Sequence, residues 1–286
     1  MLPSHPWLCI IMYISTTRLQ RMQHVQRLLD QLQPDASPQV VCAPGTRQPQ
    51  DTIIIFTGSF NPPTVAHLAL LKQAQRYAKA QLEPTHLYAA FSKRTVDKEG
   101  VERPLLLDRV ILLQDLLCTR LPQTGILLFN RGLYVEQAQA IRHSFPKVKR
   151  ILFLMGFDKI EQIFDPRYYE DRDASLEALF NLAELLVVPR GSAGEDALAE
   201  LLQRPQNQRF ARYVQSQPFD PAYRDISATL VRERGASYQH DITREVRRFM
   251  RDTRAYDRPV KRADGSEVDI YNERIQYLRQ RLGPVS

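Results

Sequence analysis

The ten residues Gly58-Ser59-Phe60-Asn61-Pro62-Pro63-Thr64-Val65-Ala66-His67 have the make-up of an anion site. Glycine lets backbone come close to a ligand. The two prolines fix the loop and present the following helix by its N-terminus, where unpaired N–H groups and the positive end of the dipole face an anion. Thr64 and His67 stand three apart, so both side chains share one side of the first turn. His67 can give a hydrogen bond or a positive charge to a phosphoryl oxygen. A second segment, Ile226-Ser227-Ala228-Thr229-Leu230-Val231-Arg232, follows the same logic: two hydroxyls at a helix start and an arginine one turn in, suited to phosphates. Read alone, Ser227 is also an ordinary N-cap with an exposed Arg232 beside it. The chain has no G-x-x-x-x-G-K-[ST], G-x-G-x-x-G, G-x-S-x-G or H-E-x-x-H, so the commonest phosphate, dinucleotide, acyl-transfer and zinc signatures do not apply.

Elements must hold these residues in place. Thr52-Ile53-Ile54-Ile55-Phe56-Thr57 is a continuous, mostly β-branched apolar run ending at Gly58, which reads as a strand buried on both faces. A helical pattern runs from 65 to 81, with Leu68, Leu71, Ala74 and Ala78 on one face. The alternation continues with strands at 86–91, 126–129, 150–155 and 185–188 and helices at 105–118, 135–143 and 174–182. This predicts an α/β fold, a doubly wound parallel sheet covered on both faces. Ligands of such sheets bind beyond the carboxyl ends of the strands. The residues there are Gly58 to Asn61, Ser92-Lys93-Arg94, Asn130-Arg131-Gly132, Gly156-Phe157-Asp158 and Pro189-Arg190. Residues 23–33 read as a short helix, 34–51 as a linker and 191–223 as a polar insertion. Helices from 227 to near Gly235, at 242–252 and at 270–282 make a helical C-terminal part.

Composition narrows the class. With 286 residues, 43 % hydrophobic and 25 % charged, the chain reads as globular rather than disordered. Cys9, Cys42 and Cys118 are odd in number and widely spaced, which argues against a disulfide framework or structural zinc and for a reducing, cytoplasmic setting. No apolar run reaches the ~20 residues of a membrane span. The run Trp7 to Ile14 lacks the flanks of a signal peptide, so the first ~20 residues read as a loose extension or a misplaced start. The net charge of +7 fits either nucleic acid or small anions as partners. Residues 244–262 hold eight basic residues, with Glu245, Asp252 and Asp257 interleaved, so a solvated helix face is the simpler reading and nucleic acid the weaker one.

The loop and the second segment resemble the two signatures of the nucleotidylyltransferase superfamily, [HT]-x-x-H after a G-[ST]-F-[ND]-P loop, and I-S-x-T-x-x-R. Thr64 at the first motif position resembles the eukaryotic-type nicotinamide mononucleotide adenylyltransferases, while Ala66 replaces the usual glycine. The resemblance covers residues 52–252, leaving 1–51 as an N-terminal extension and linker and 253–286 as a C-terminal extension. It implies a Rossmann-like nucleotidylyltransferase fold and adenylyl transfer from ATP to nicotinamide or nicotinate mononucleotide, giving NAD or deamido-NAD and pyrophosphate. His67 and Thr64 would be catalytic. Gly58, Ser59, Phe60, Ser227, Thr229, Arg232, Gly156 and Asp158 would bind ATP and its phosphates. Tyr169, where the family has a stacking tryptophan, with Arg190 and Lys93, would bind the acceptor. Mg²⁺ would come with ATP, with no protein-held metal. As single residues, Asp158 also reads as a helix N-cap, Tyr169 as packing, and Arg190 and Lys93 as solvated side chains. Arg224 stands where the family has asparagine, and Tyr134 where a polar Thr or a Trp-Glu pair is expected; both departures touch the acceptor side. Alternatives are another phosphorylated acceptor such as phosphopantetheine, ATP hydrolysis without an acceptor, or a nucleotide-sensing protein. The oligomeric state stays open, a homo-oligomer included.

Overall fold

A computed structural model describes residues 14–93, 103–189, 195–234, 240–261, 265 and 267–284. Trp7, Cys9, Arg94, Arg190 and Gly235, all singled out above, lie outside them. In chain order the elements are α1 (Thr16–Gln31), β1 (Val40–Cys42), β2 (Asp51–Thr57), α2 (Val65–Ala80), β3 (Thr85–Ser92), α3 (Leu106–Arg120), β4 (Gly125–Phe129), α4 (Tyr134–Ser144), β5 (Val148–Gly156), α5 (Phe157–Phe164), α6 (Arg172–Phe180), β6 (Glu184–Val188), α7 (Glu195–Gln203), β7 (Val214–Ser216), α8 (Ala228–Arg234), α9 (Arg244–Thr253), β8 (Val260–Lys261), β9 (Glu267–Val268) and α10 (Ile270–Leu282).

Seven strands form one sheet in the order β1-β4-β3-β2-β5-β6-β7. All neighbours are parallel except β1 against β4. Taking β2 as the first strand, β4-β3-β2-β5-β6 is the 3-2-1-4-5 order of a doubly wound sheet, with its switch point between β2 and β5. Side chains alternate across β2. Ile54 and Phe56 join a core layer with Leu68 of α2, Leu107 of α3, Val246 of α9 and Leu278 of α10. Ile53 and Ile55 join the opposite layer with Ile141 of α4, Ile160 of α5 and Leu179 of α6. Ile53, Ile54 and Ile55 are fully buried, each contributing about 1.5–3 kcal/mol relative to an exposed side chain. That is why the run reads as apolar without alternation.

Two stretches outside the predicted elements add to the sheet. Within the linker reading of 34–51, Val40–Cys42 pairs with β4 as an antiparallel strand. Within the insertion reading of 191–223, Val214–Ser216 pairs with β6. The N-terminal and C-terminal helices also pack into the core: Met22, Val25 and Leu29 of α1 and Tyr271, Ile275 and Leu278 of α10 are buried in the same layer. In α9, the interleaved acids take arginines: Glu245 pairs with Arg120 and Asp252 with Arg248 and Arg251. Among the described residues no helix is long and apolar enough to cross a membrane.

Candidate active site

A cavity of about 330 Å³ opens at the switch point, beyond the carboxyl ends of β2 and β5. It brings together Gly58, Ser59, Thr64 and His67 from the first segment, Gly156 from the end of β5, and Ser227, Thr229 and Arg232 from the second. Segments some 160 residues apart in sequence thus share one wall, and the Arg232 guanidinium joins them. It donates to the Asn61 carbonyl and, at 3.1 Å, to Thr229 Oγ1. Asn61 is itself held by Tyr256, whose hydroxyl donates to Oδ1 at 2.8 Å. The Ser59 carbonyl accepts from buried Arg109 at 3.1 Å.

The loop owes its shape to Phe60. Its backbone sits at φ 43°, a left-handed conformation that costs a non-glycine residue roughly 1–2 kcal/mol. Its ring is fully buried against Phe56, Phe91 and His67, which offsets that cost. The ring lies under Gly58, where a Cβ would stand 3.2 Å from Phe60 Cζ. Glycine is favoured by this close approach rather than by φ. Phe60 therefore supports the cavity from below and is absent from its lining.

Thr64 caps α2, and His67 completes a capping box. The Thr64 backbone N–H donates to His67 Nδ1 at 2.9 Å, with Thr64 Oγ1 at 2.8 Å from the same nitrogen. A backbone N–H can only donate, so Nδ1 is the acceptor and the ring proton resides on Nε2. His67 is thus held in one orientation, with Nε2 as its donor atom. Thr64 is fully buried. Thr64→Val is expected to cost about 1 kcal/mol of stability through the lost cap, and to let the ring change tautomer. Thermal unfolding and imidazole nitrogen shifts would check both.

The electrostatics are one-sided. Lys159, Arg224 and Arg232 line the cavity together with His67, and among the described residues no carboxylate does. Lys159 Nζ donates to Gln162 Oε1 at 2.7 Å, and Arg224 to the Phe219 carbonyl at 3.3 Å. Phe219 and Tyr223, with ring centroids 6.2 Å apart, add an aromatic wall. Tyr134 lines the other side, its ring edge-on to Phe153 at 4.9 Å, and burial pushes its hydroxyl well above the ordinary phenol range. Beneath the cavity, buried Gln137 ties three loops: it accepts from Thr57 Oγ1 at 2.8 Å and donates to Ser92 Oγ and the Gly132 carbonyl.

Other residues singled out from sequence are engaged elsewhere. Lys93 Nζ donates to the Leu29 carbonyl at 2.8 Å, completing the C-terminal turn of α1. Asn130 donates to the Gln33 and Ser37 carbonyls and accepts from Gln39 N–H, and Arg131 donates to the Ala36 carbonyl. The strand end of β3 therefore grips the last turn of α1, and that of β4 the segment between α1 and β1. The Tyr169 hydroxyl donates to the Ile163 carbonyl at 2.7 Å, and its ring is not in the lining. Asp158 lies in the first turn of α5, exposed and outside the lining. Lys159, Phe219 and Tyr223 were missed. Lys159 was findable, because Phe157, Ile160, Ile163 and Phe164 have helical spacing; a helix begun at Gly156 carries Lys159 on its first turn.

Strand order and a cavity at the switch point define the class: a doubly wound, Rossmann-like α/β fold. Among solved structures, the chain is similar to the nicotinic acid mononucleotide adenylyltransferase of Plasmodium falciparum. With that enzyme complexed with APC, the TM-score is 0.51 at 14 % identity, covering 73 % of this chain and 98 % of the other. With the NaAD complex, the TM-score is 0.52 at 17 % identity with the same coverage. No protein-family model and no curated protein matches the sequence. At such identities the likeness is one of fold.

Proposed function

We propose that the protein transfers the adenylyl group of ATP to the phosphate of nicotinamide or nicotinate mononucleotide, releasing pyrophosphate. The observation that carries this reading is the cavity itself: both motif segments meet there, with three cations and His67 and no described carboxylate. Such a lining favours a polyanion. The acceptor phosphate oxygen attacks the α-phosphorus, and the bond from that phosphorus to the bridging oxygen of the leaving pyrophosphate breaks. The attacking group is already an anion, so the protein needs no nucleophile of its own. Its task is alignment and neutralisation of charge on the phosphoryl oxygens. His67 Nε2–H donates to an α-phosphoryl oxygen, Thr64 holds the ring, and Arg232 with Ser227 and Thr229 holds the departing pyrophosphate. With no carboxylate in the described lining, and no cluster of three His, Cys, Asp or Glu among the described residues, Mg²⁺ would be carried by the triphosphate, where it reduces phosphate charge.

Arg232→Lys keeps the charge but loses the fork that reaches both Asn61 and Thr229. Turnover is expected to fall about tenfold, with a smaller change in KM for ATP. Steady-state kinetics would check this.

A second reading, hydrolysis of ATP, is favoured by one observation: Lys93 and Tyr169, the acceptor-side candidates within the described residues, are bonded elsewhere. Incubation with Mg-ATP and each mononucleotide decides between them. Dinucleotide with equal pyrophosphate supports transfer and identifies the acceptor. AMP with pyrophosphate, or ADP with phosphate, and no dinucleotide would replace it with hydrolysis.

A further inference from the structure

Asn61 joins the two motif segments of the cavity, and it is only 4 % exposed. Its carbonyl accepts from Arg232, whose guanidinium also reaches Thr229. Its side chain is bonded at both ends. Nδ2 donates to the Arg103 carbonyl at 3.2 Å, and Oδ1 accepts from the Tyr256 hydroxyl at 2.8 Å. A carbonyl can only accept, so the amide has one orientation and the tyrosine hydroxyl must donate. Held at both ends, the side chain resists any rotation that would turn the Asn61 carbonyl away from Arg232.

Tyr256 belongs to the tail, beyond the residues 52–252 that carry the family resemblance. The tail is brought to the loop by named contacts. Helix α9 ends at Arg254, whose φ of 54° turns the chain, and the next residue, Ala255, is fully buried. The Arg103 guanidinium donates to the Ala255 carbonyl at 2.9 Å and forms a bidentate pair with Asp269 at 2.5 and 2.7 Å. Asp269 in turn caps α10, accepting from the N–H groups of Tyr271 and Asn272. Arg103 thus bonds the tail through its side chain and Asn61 through its carbonyl.

We infer that Tyr256 is a positioning residue for Arg232: its hydroxyl holds Asn61, and Asn61 holds the guanidinium toward the anion that the cavity receives. On the transfer reading, from which this role follows, that anion is the departing pyrophosphate. A guanidinium aligned in advance meets the charge growing on the leaving group without reorganising, so lost alignment is read in turnover more than in ground-state binding of ATP. The loop has anchors of its own, the buried Phe60 ring and Arg109 on the Ser59 carbonyl. Removing the Tyr256 hydroxyl therefore frees Asn61 and leaves the loop folded.

The test is a double-mutant cycle on the full chain with Tyr256→Phe, Arg232→Lys and both together. In the nitrogen-15-labelled chain, Tyr256→Phe is expected to shift the Arg232 Nε–H resonance, identified by its loss in Arg232→Lys. It is expected to lower kcat about tenfold with KM for ATP little changed. Added to Arg232→Lys it should change kcat by less than about twofold, because the two act through one contact. A merely structural role for Tyr256 would lower Tm and leave the two losses in kcat to multiply. An unmoved Arg232 resonance, or losses that multiply in full, would overturn the inference. If the parent forms no dinucleotide, the transfer reading falls by itself, and affinity for inorganic pyrophosphate, read by calorimetry across the same variants, takes the place of kcat. Weaker binding in Tyr256→Phe that disappears in the Arg232→Lys background upholds the role of Tyr256. Pyrophosphate bound equally by the parent and Tyr256→Phe, or not bound by the parent, overturns it.

Discussion

His67→Ala is expected to lower dinucleotide formation about 10²-fold or more while leaving the fold intact. The ring does two jobs, and their magnitudes differ. As the partner of the Thr64 N–H it contributes on the order of 1 kcal/mol to the start of α2. On the proposed function, its donation to phosphoryl oxygens would be worth several times that in the transition state. A variant that loses a few degrees of Tm and two orders of magnitude in kcat, with KM for ATP little changed, is the expected pattern. Near-native turnover below the unfolding temperature would remove His67 from the mechanism.

The largest stability effect is expected far from the cavity. Asp108 of α3 and Arg274 of α10 form a bidentate pair at 2.6 and 3.0 Å, with side chains 1 % and 6 % exposed. The Tyr271 hydroxyl donates to Asp108 at 2.8 Å and accepts from Leu105 N–H at 2.8 Å. Arg274→Met strands a buried carboxylate and is expected to cost about 3–5 kcal/mol. Asp108→Leu with Arg274→Met removes both charges and should cost much less, because the desolvation of each is relieved. Chemical denaturation of the single and double variants checks this. A single variant within 1 kcal/mol of the parent would sink the idea, by the same scale.

What was legible in the sequence follows from range. Ile53 to Phe56 and Leu152 to Met155 read as central strands because burial on both faces writes itself into consecutive residues. Val40–Cys42 did not, because three residues between Pro38 and Pro44 carry little pattern and their partner strand is far along the chain. The two motif segments that line the cavity were legible because each is contiguous. Their union through Arg232 and Asn61 is tertiary. Lys93 and Tyr169 were assigned by position after strand or motif, but a long side chain is satisfied by whichever carbonyl packing brings near. Here those carbonyls belong to Leu29 and Ile163.

The sheet also begins and ends on strands of three residues, β1 and β7. Next to them lie Gly125-Ile-Leu-Leu-Phe129 and Glu184-Leu-Leu-Val-Val188, apolar ribbons of the kind that recruit other chains when their edges are bare. The short outer strands take up the bonding groups of these ribbons and offer few of their own. A chain starting at Asp51 would keep every candidate catalytic residue and still lose the cover of β4. For such a fragment the failure to anticipate is precipitation, rather than loss of chemistry.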